Sequence, residues 1–189
     1  MSDPLDLRTP LSDARHLRAG DIVYITGRIF TARDEAHRVL LRDGMPEAMA
    51  PYSSVLYHCG PVVRDRGGSW EVISAGPTTS ARMEDVEVEF IGRFGVKAII
   101  GKGGMGPGTL EALRENGAVY LAYAGGAGAL AAARLEVDDV LYLDELGMPE
   151  AVWLLSARRF GPLVVAMDSH GRSLYSEVEE KARLKAREI

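Results

Sequence analysis

Val96-Lys97-Ala98-Ile99-Ile100-Gly101-Lys102-Gly103-Gly104-Met105-Gly106 is the stretch on which the fold reading turns. Val96–Ile100 has the short, mostly apolar run of a buried β-strand, and a glycine-rich loop follows it at once. Beyond the loop, Leu110–Asn116 reads as a helix with Gly117 as its C-cap, and Val119–Tyr123 reads as the next strand. Strand, loop, helix and strand in succession place the chain in the α/β class.

Upstream, Ile22–Phe30 is β-branched and aromatic, a strand in which Gly27 marks a bulge. Thr31 is the expected N-cap of a helix through Asp43, with Ala36, Val39 and Leu40 at helical spacing and with Arg33 and His37 four apart on one face. Val55–Cys59 and Trp70–Ala75 are further strands, and Gly76-Pro77-Thr78-Thr79 breaks the second into a helix start. Val86–Phe90 alternates and fits either class. Downstream, Ala127–Leu135 reads as a small-residue helix. Val140–Leu143 and Leu163–Met167 are the expected last strands, separated by an irregular region, Met148–Arg159. Residues 1–20 form an extended polar arm and 177–189 a charged helix or tail, so the expectation is one domain over 1–189 with no internal repeat.

Composition narrows the function. The 189 residues are 47% hydrophobic and 26% charged, ordinary for a globular domain with a real core. A net charge of −5 argues against a broad nucleic-acid surface, because phosphate binding needs a basic face. The longest weakly polar run, Val119–Ala133, falls short of the ~20 residues of a membrane span. With no secretory leader visible, the expected location is the cytoplasm. The single cysteine, Cys59, excludes an internal disulfide and an all-cysteine metal site, and no metal-ligating set is expected in this chain. An iron–sulfur cluster needs three or four thiolates, so another chain must hold any cluster that takes part.

Gly101–Gly106 matches G-x-G-x-x-G, yet a dinucleotide site also wants an acidic residue about 20 positions on. Residues 121–129 contain none, and Gly103 stands where a P-loop has Ser or Thr. What remains is Lys102 on a loop whose N–H groups could approach an anion. Gly76–Met83 offers a second anion site. A strand ends there, Pro77 fixes φ, three hydroxyls occupy the first turn of a helix, and Thr78 and Arg82 at i and i+4 would lie on one face of it. Arg33 and His37 supply a third. Three strand ends, near 31, 77 and 102, thus each deliver a cation, and such ends are where α/β proteins bind ligands. Three cations would suit the two carboxylates of a small dicarboxylate. Asp168-Ser169-His170 is no triad on adjacency alone. His58-Cys59 reads as a buried pair, and the run Glu84, Asp85, Glu87 and Glu89 reads as a solvated face.

Taken together, these segments resemble the β subunit of class I, oxygen-sensitive fumarases and of L-tartrate dehydratases, from Leu11 to about Val178. The marks are Gly20-Asp21, Thr31-Ala32-Arg33-Asp34 with Ala36-His37, Gly60-Pro61-Val62, Gly76-Pro77-Thr78-Thr79 with Arg82-Met83, Gly101-Lys102-Gly103, Gly125-Gly126-Ala127, and Asp168 with Gly171 and Ser173-Leu174. The resemblance implies a swivelling β/β/α domain with a central sheet flanked by helices. It further implies a partner α subunit carrying a [4Fe–4S] cluster, and higher oligomers of αβ pairs. The implied reaction is hydration and dehydration between fumarate and L-malate, with L-tartrate or mesaconate as alternative substrates and a non-catalytic dicarboxylate-binding module as the alternative class. Carried over residue by residue, Arg33, Arg82 and Lys102 look like carboxylate binders, Thr78 with Lys102 looks catalytic, and His37 looks like a supporting substrate-binding residue. The sequence departs at Gly103-Gly104, where some fumarases carry asparagine after the first glycine. It departs again at His170, which has no counterpart in the pattern.

Overall fold

The computed structural model describes residues 3–187. Its strands are β1 (Leu5–Arg8), β2 (Ile22–Thr31), β3 (Val55–Tyr57), β4 (Val62–Asp65), β5 (Trp70–Ser74), β6 (Ala98–Gly101), β7 (Val119–Ala122), β8 (Leu135–Leu141) and β9 (Val152–Met167). Its helices are α1 (Asp34–Asp43), α2 (Glu84–Phe94), α3 (Pro107–Asn116), α4 (Gly128–Ala132), α5 (Leu143–Leu146) and α6 (Leu174–Ala186), with short 3-10 turns at Glu47–Met49 and Ser80–Met83.

Seven strands form one sheet in the order β1-β2-β3-β6-β7-β9-β8, and a further β2–β9 pairing closes β2, β3, β6, β7 and β9 into a five-stranded barrel. The β2–β3, β3–β6 and β6–β7 pairs are parallel, while β9 runs antiparallel to β2 and β7. Side chains alternate across this wall, as the pleat requires. Val55, Tyr57, Ala98, Ile100, Val119, Leu121, Trp153 and Leu155 belong to one buried cluster. Their neighbours Leu56, Ile99, Tyr120 and Leu154 belong to a second, with Ala36 and Leu40 of α1, Phe90 and Ile91 of α2, and Ala112 and Leu113 of α3. Each fully buried aliphatic or aromatic side chain contributes about 1.5–3 kcal/mol, so these two layers hold the barrel and its helical cover together.

Several local expectations are corrected. Met148–Arg159 is not irregular, since residues 152–159 are the first half of the 16-residue β9. The run Val152-Trp153-Leu154-Leu155 is buried on both faces, so it carries no polar alternation to betray a strand. Thr31 is the last residue of β2 and not an N-cap; its Oγ1 accepts the Trp153 backbone N–H at 3.0 Å. Within the arm, residues 5–8 pair in parallel with β2, and Leu7, Ala14 and Leu17 enter the core. The helix foreseen at Ala127–Leu135 stops at Ala132, and Leu135 opens β8. Gly27 does sit at a register shift between β2 and β9, with φ of 123° and no room for a Cβ beside Thr9.

Candidate functional site

Because β2, β3 and β6 are parallel neighbours, their C-terminal ends open on the same side of the sheet. Arg33 follows β2, His58-Cys59-Gly60 follows β3, and Lys102 follows β6. The segment 76–80 threads between the last two. Cys59 bridges Pro77 in antiparallel fashion and Thr79 bridges Lys102 in parallel. Thr78 N–H donates to the His58 carbonyl at 2.7 Å, Lys102 N–H to the Thr78 carbonyl at 3.3 Å, and Ser80 N–H to the Lys102 carbonyl at 3.0 Å. These strand-like bonds keep Thr78 out of a helix. The 3-10 turn begins only at Ser80 and α2 at Glu84, so Thr78 and Arg82 do not share a helix face as the spacing predicted. Proximity comes instead from this backbone lattice, which holds the half-buried Thr78 between the ends of β3 and β6.

Arg33 is the N-cap residue of α1. Its Nη1 donates to the Pro149 carbonyl at 3.3 Å, and its Nε lies 3.2 Å from Glu150 Oε1. A Cβ at position 60 would meet Arg33 Nη1 at 2.6 Å and the Pro149 carbonyl oxygen at 2.4 Å, so glycine there gives the guanidinium its berth. Arg82 pairs with Asp34, the next residue after Arg33. Burial would raise the Asp34 carboxyl, but the Arg82 guanidinium outweighs it and holds the group below the usual carboxylate range. Lys102 is half-buried, and its stem lies toward the glycine turn at Gly125. Arg33, Thr78, Arg82 and Lys102 therefore gather at one end of the barrel, on segments tied to one another.

His37 does not join them. It is 0% exposed, turned from α1 into the core, with Nδ1 2.7 Å from the Arg33 carbonyl oxygen. The expectation that Arg33 and His37 present one basic face is corrected: the helix begins at Asp34, and His37 packs on Phe90. Beside it lie His58 and Glu87, both also 0% exposed. Glu87 Oε2 is 2.9 Å from His58 Nε2 and 3.3 Å from His37 Nε2. Burial lowers the His58 pKa. Burial would raise the Glu87 carboxyl, yet the two facing imidazoles hold it low.

The solvated reading of the acidic run is thus wrong at Glu87 and incomplete at Glu84. Taken as a helix, Met83, Glu87, Phe90 and Ile91 fall at i, i+4, i+7 and i+8, a signal that Glu87 shares the apolar face. Glu84 accepts Gly106 N–H at 2.7 Å, Thr109 N–H at 3.1 Å and the Thr109 hydroxyl at 2.7 Å. The N-terminus of α3 is therefore occupied by a carboxylate of this chain, which accounts for the glycine loop without a nucleotide. Gly104, with φ of 77°, leaves room for the Tyr175 ring. His170 sits in the turn after β9 with Nε2 2.8 Å from the Arg15 carbonyl oxygen, away from the strand ends.

The donor set does not fit a [4Fe–4S] cluster. Cys59 is the one thiol, buried within the barrel, and burial pushes its pKa up to about 12, against the thiolate that iron requires.

Residues 4–178 match the family described as fumarase C-terminus, and the chain belongs to that family. A relative in Methanocaldococcus jannaschii, named "Putative L(+)-tartrate dehydratase subunit beta", is 50% identical over 181 residues, covering 94% of this chain and 93% of its own. The L(+)-tartrate dehydratase subunit beta of Escherichia coli strain K12 is 42% identical over 173 residues, 90% of this chain and 86% of the relative. In Geobacillus stearothermophilus, a "Putative fumarate hydratase class I" is 42% identical over 181 residues, 94% of this chain but 35% of the relative. These relatives are thus named for hydro-lyases, two of them for a β subunit close to this chain in length and one for a chain about three times as long.

Proposed function

We propose that the chain is the β subunit of a two-chain hydro-lyase that adds and removes water across a small dicarboxylate, L-malate and fumarate in the first reading. The observation that supports this is the backbone lattice through His58, Thr78 and Lys102, which ties the segments bearing Thr78 and Lys102 together where the parallel strands end, the same end from which Arg33 leaves β2. The swivelling β/β/α arrangement, the α subunit, the cytoplasmic location and higher oligomers of αβ pairs belong to the same proposal.

In this reading Arg33, Arg82 and Lys102 take the two substrate carboxylates. The guanidiniums already hold carboxylates of the chain, Glu150 and Asp34. The Arg82 pair is a partly exposed one, with side chains 47% and 28% accessible, and such pairs contribute only ~0–1 kcal/mol, so a substrate carboxylate can displace it. As the C3 proton leaves toward the Thr78 oxygen, negative charge builds on the adjoining carboxylate, and fixed cations stabilise that charge without reorganising. A neutral threonine cannot take this proton and stay neutral, so in this reading Thr78 acts as the alkoxide, its own proton released beforehand to a base of the assembled site, and a cationic Lys102 on the neighbouring strand end favours that negative oxygen. The C2 hydroxyl leaves with the partner's help, since no residue set of this chain fits the cluster. L-tartrate is the second reading, favoured by the names of the two length-matched relatives.

The test is Arg82→Ala and Lys102→Ala in the assembled two-chain enzyme, assayed on L-malate and L-tartrate in parallel. Each substitution should cut turnover at least about tenfold on the preferred diacid, because a hydrogen bond to a charged group contributes ~1.5–3 kcal/mol. Wild-type turnover in both variants would remove these residues from the site.

A further inference from the structure

The buried group behind the strand ends has an account that the hydro-lyase reading does not use. We propose that His37, His58 and Glu87 bind one divalent transition-metal cation of the zinc class, as a structural site beneath Arg33 and Thr78.

The three side chains come from α1, the end of β3 and α2, and each is wholly buried. One donor atom from each lies within 4.8 Å of the others. Four of their polar atoms, His37 Nε2, His58 Nε2 and both Glu87 carboxylate oxygens, are buried without a hydrogen-bond partner. Buried polar atoms are nearly always satisfied, and four together on converging side chains need an explanation. They make a two-nitrogen, two-oxygen donor set.

Tautomers support the assignment. The Arg33 carbonyl can only accept, so the proton of His37 sits on Nδ1, 2.7 Å away, and in the neutral ring Nε2 is a bare lone pair. That lone pair lies 3.3 Å from a carboxylate oxygen. Two electron-rich atoms facing each other in a dry interior repel unless something positive stands between them. A metal-bound histidine shows this same pattern, one nitrogen on the ion and the other N–H on a backbone carbonyl. His58 has Nδ1 2.9 Å from Ser80 Oγ, which leaves its Nε2 for the ion as well. The rival positive charge is a proton on Nε2, giving an imidazolium–carboxylate pair, which fits the lowered Glu87 carboxyl equally well and is told from the ion by the metal-loading experiment below. Separations of 2.9 and 3.3 Å are what two ligands ~2.0–2.2 Å from a shared zinc ion subtend at roughly 90–110°. Two imidazoles favour zinc and its neighbours over magnesium or calcium, and the absence of a thiolate sets the site apart from an iron–sulfur centre.

Such an ion would pin α1, β3 and α2 together at their junction. His37 holds the Arg33 carbonyl through Nδ1, and His58 accepts Thr78 N–H through its backbone oxygen. The stapled elements are therefore those that place Arg33 and Thr78.

The experiment uses the full 189-residue chain without the α chain, whose thiolates would themselves take zinc, dialysed with chelator, reloaded with zinc and desalted. Metal content and zinc K-edge absorption are read together, so that zinc is counted apart from any iron. About one zinc per chain is expected, in a shell of two imidazoles and oxygen with no sulfur, with a raised melting temperature on loading. Glu87→Gln should lose at least tenfold in bound zinc, while His16→Ala, at an exposed histidine, should keep it. Should Glu87→Gln fail to fold, the wild-type absorption spectrum decides alone. Wild-type chain with less than about a tenth of a zinc after loading, sulfur in the shell, or zinc retained in Glu87→Gln would overturn the proposal and leave the proton-filled pair.

Discussion

At Gly60 a methyl group would land 2.6 Å from Arg33 Nη1 and 2.4 Å from the Pro149 carbonyl oxygen, so the absence of a side chain is what sets the guanidinium's position. The backbone side of that clash cannot yield as a flexible side chain would. Gly60→Ala should therefore shift Arg33 and lose about 1–3 kcal/mol of stability, the usual result of overfilling a packed site. In the two-chain enzyme it should also raise KM and reduce kcat/KM by about tenfold or more, read by steady-state kinetics alongside urea unfolding. Wild-type kinetics together with wild-type stability would show that Arg33 does not need this berth. Residues of this kind were legible in sequence, because cations beside Gly, Pro and Thr at strand ends announce a break in regular structure. Glu87 was not. Its role depends on His37 and His58, which are distant in sequence, and only a helix assignment for 84–94 would have turned it inward.

Among the elements, the turn after β9 ties the end of the N-terminal arm to the segment leading into α6. Asp168 Oδ1 accepts the His170 N–H at 2.9 Å and the Arg172 N–H at 3.1 Å, while Oδ2 accepts Ala19 N–H at 2.9 Å from the N-terminal arm. Burial would raise this carboxyl, but the three backbone donors outweigh it and its pKa is lowered. A carboxylate depressed on folding contributes stability that is complete above its unfolded pKa of about 3.9 and is lost as pH falls through the folded value. Asp168→Asn should therefore cost about 1.5–3 kcal/mol at pH 7, with the gap from wild type narrowing steadily below about pH 4. Urea unfolding over a pH series measures this, and a gap constant down to pH 2 would refute it. Elements with one polar face or a clear cap, such as α3 with Gly117, could be read directly. The extended pairing of 76–79 and the first half of β9 could not. The former rests on hydrogen bonds to His58 and Lys102, and the latter is apolar on both faces because Trp153 and Leu155 pack into one buried cluster and Val152 and Leu154 into the other.

For the whole molecule, barrel closure by β2 and β9 fixes where the parallel strand ends point, and so where the four candidate site residues gather. The α/β class was readable from the alternation of strands and helices. Closure was not, because it depends on the long antiparallel β9 that the sequence hid. The barrel supplies cations and a hydroxyl but holds its only thiol buried and protonated, which is why the proposal needs a second chain. The most direct test is an anaerobic turnover assay on L-malate and L-tartrate, run with this chain alone, with the α chain alone, and with both after iron–sulfur reconstitution. The account predicts turnover of a diacid only when both chains are present. Turnover by either chain alone, or none from an assembled and reconstituted pair, would contradict it.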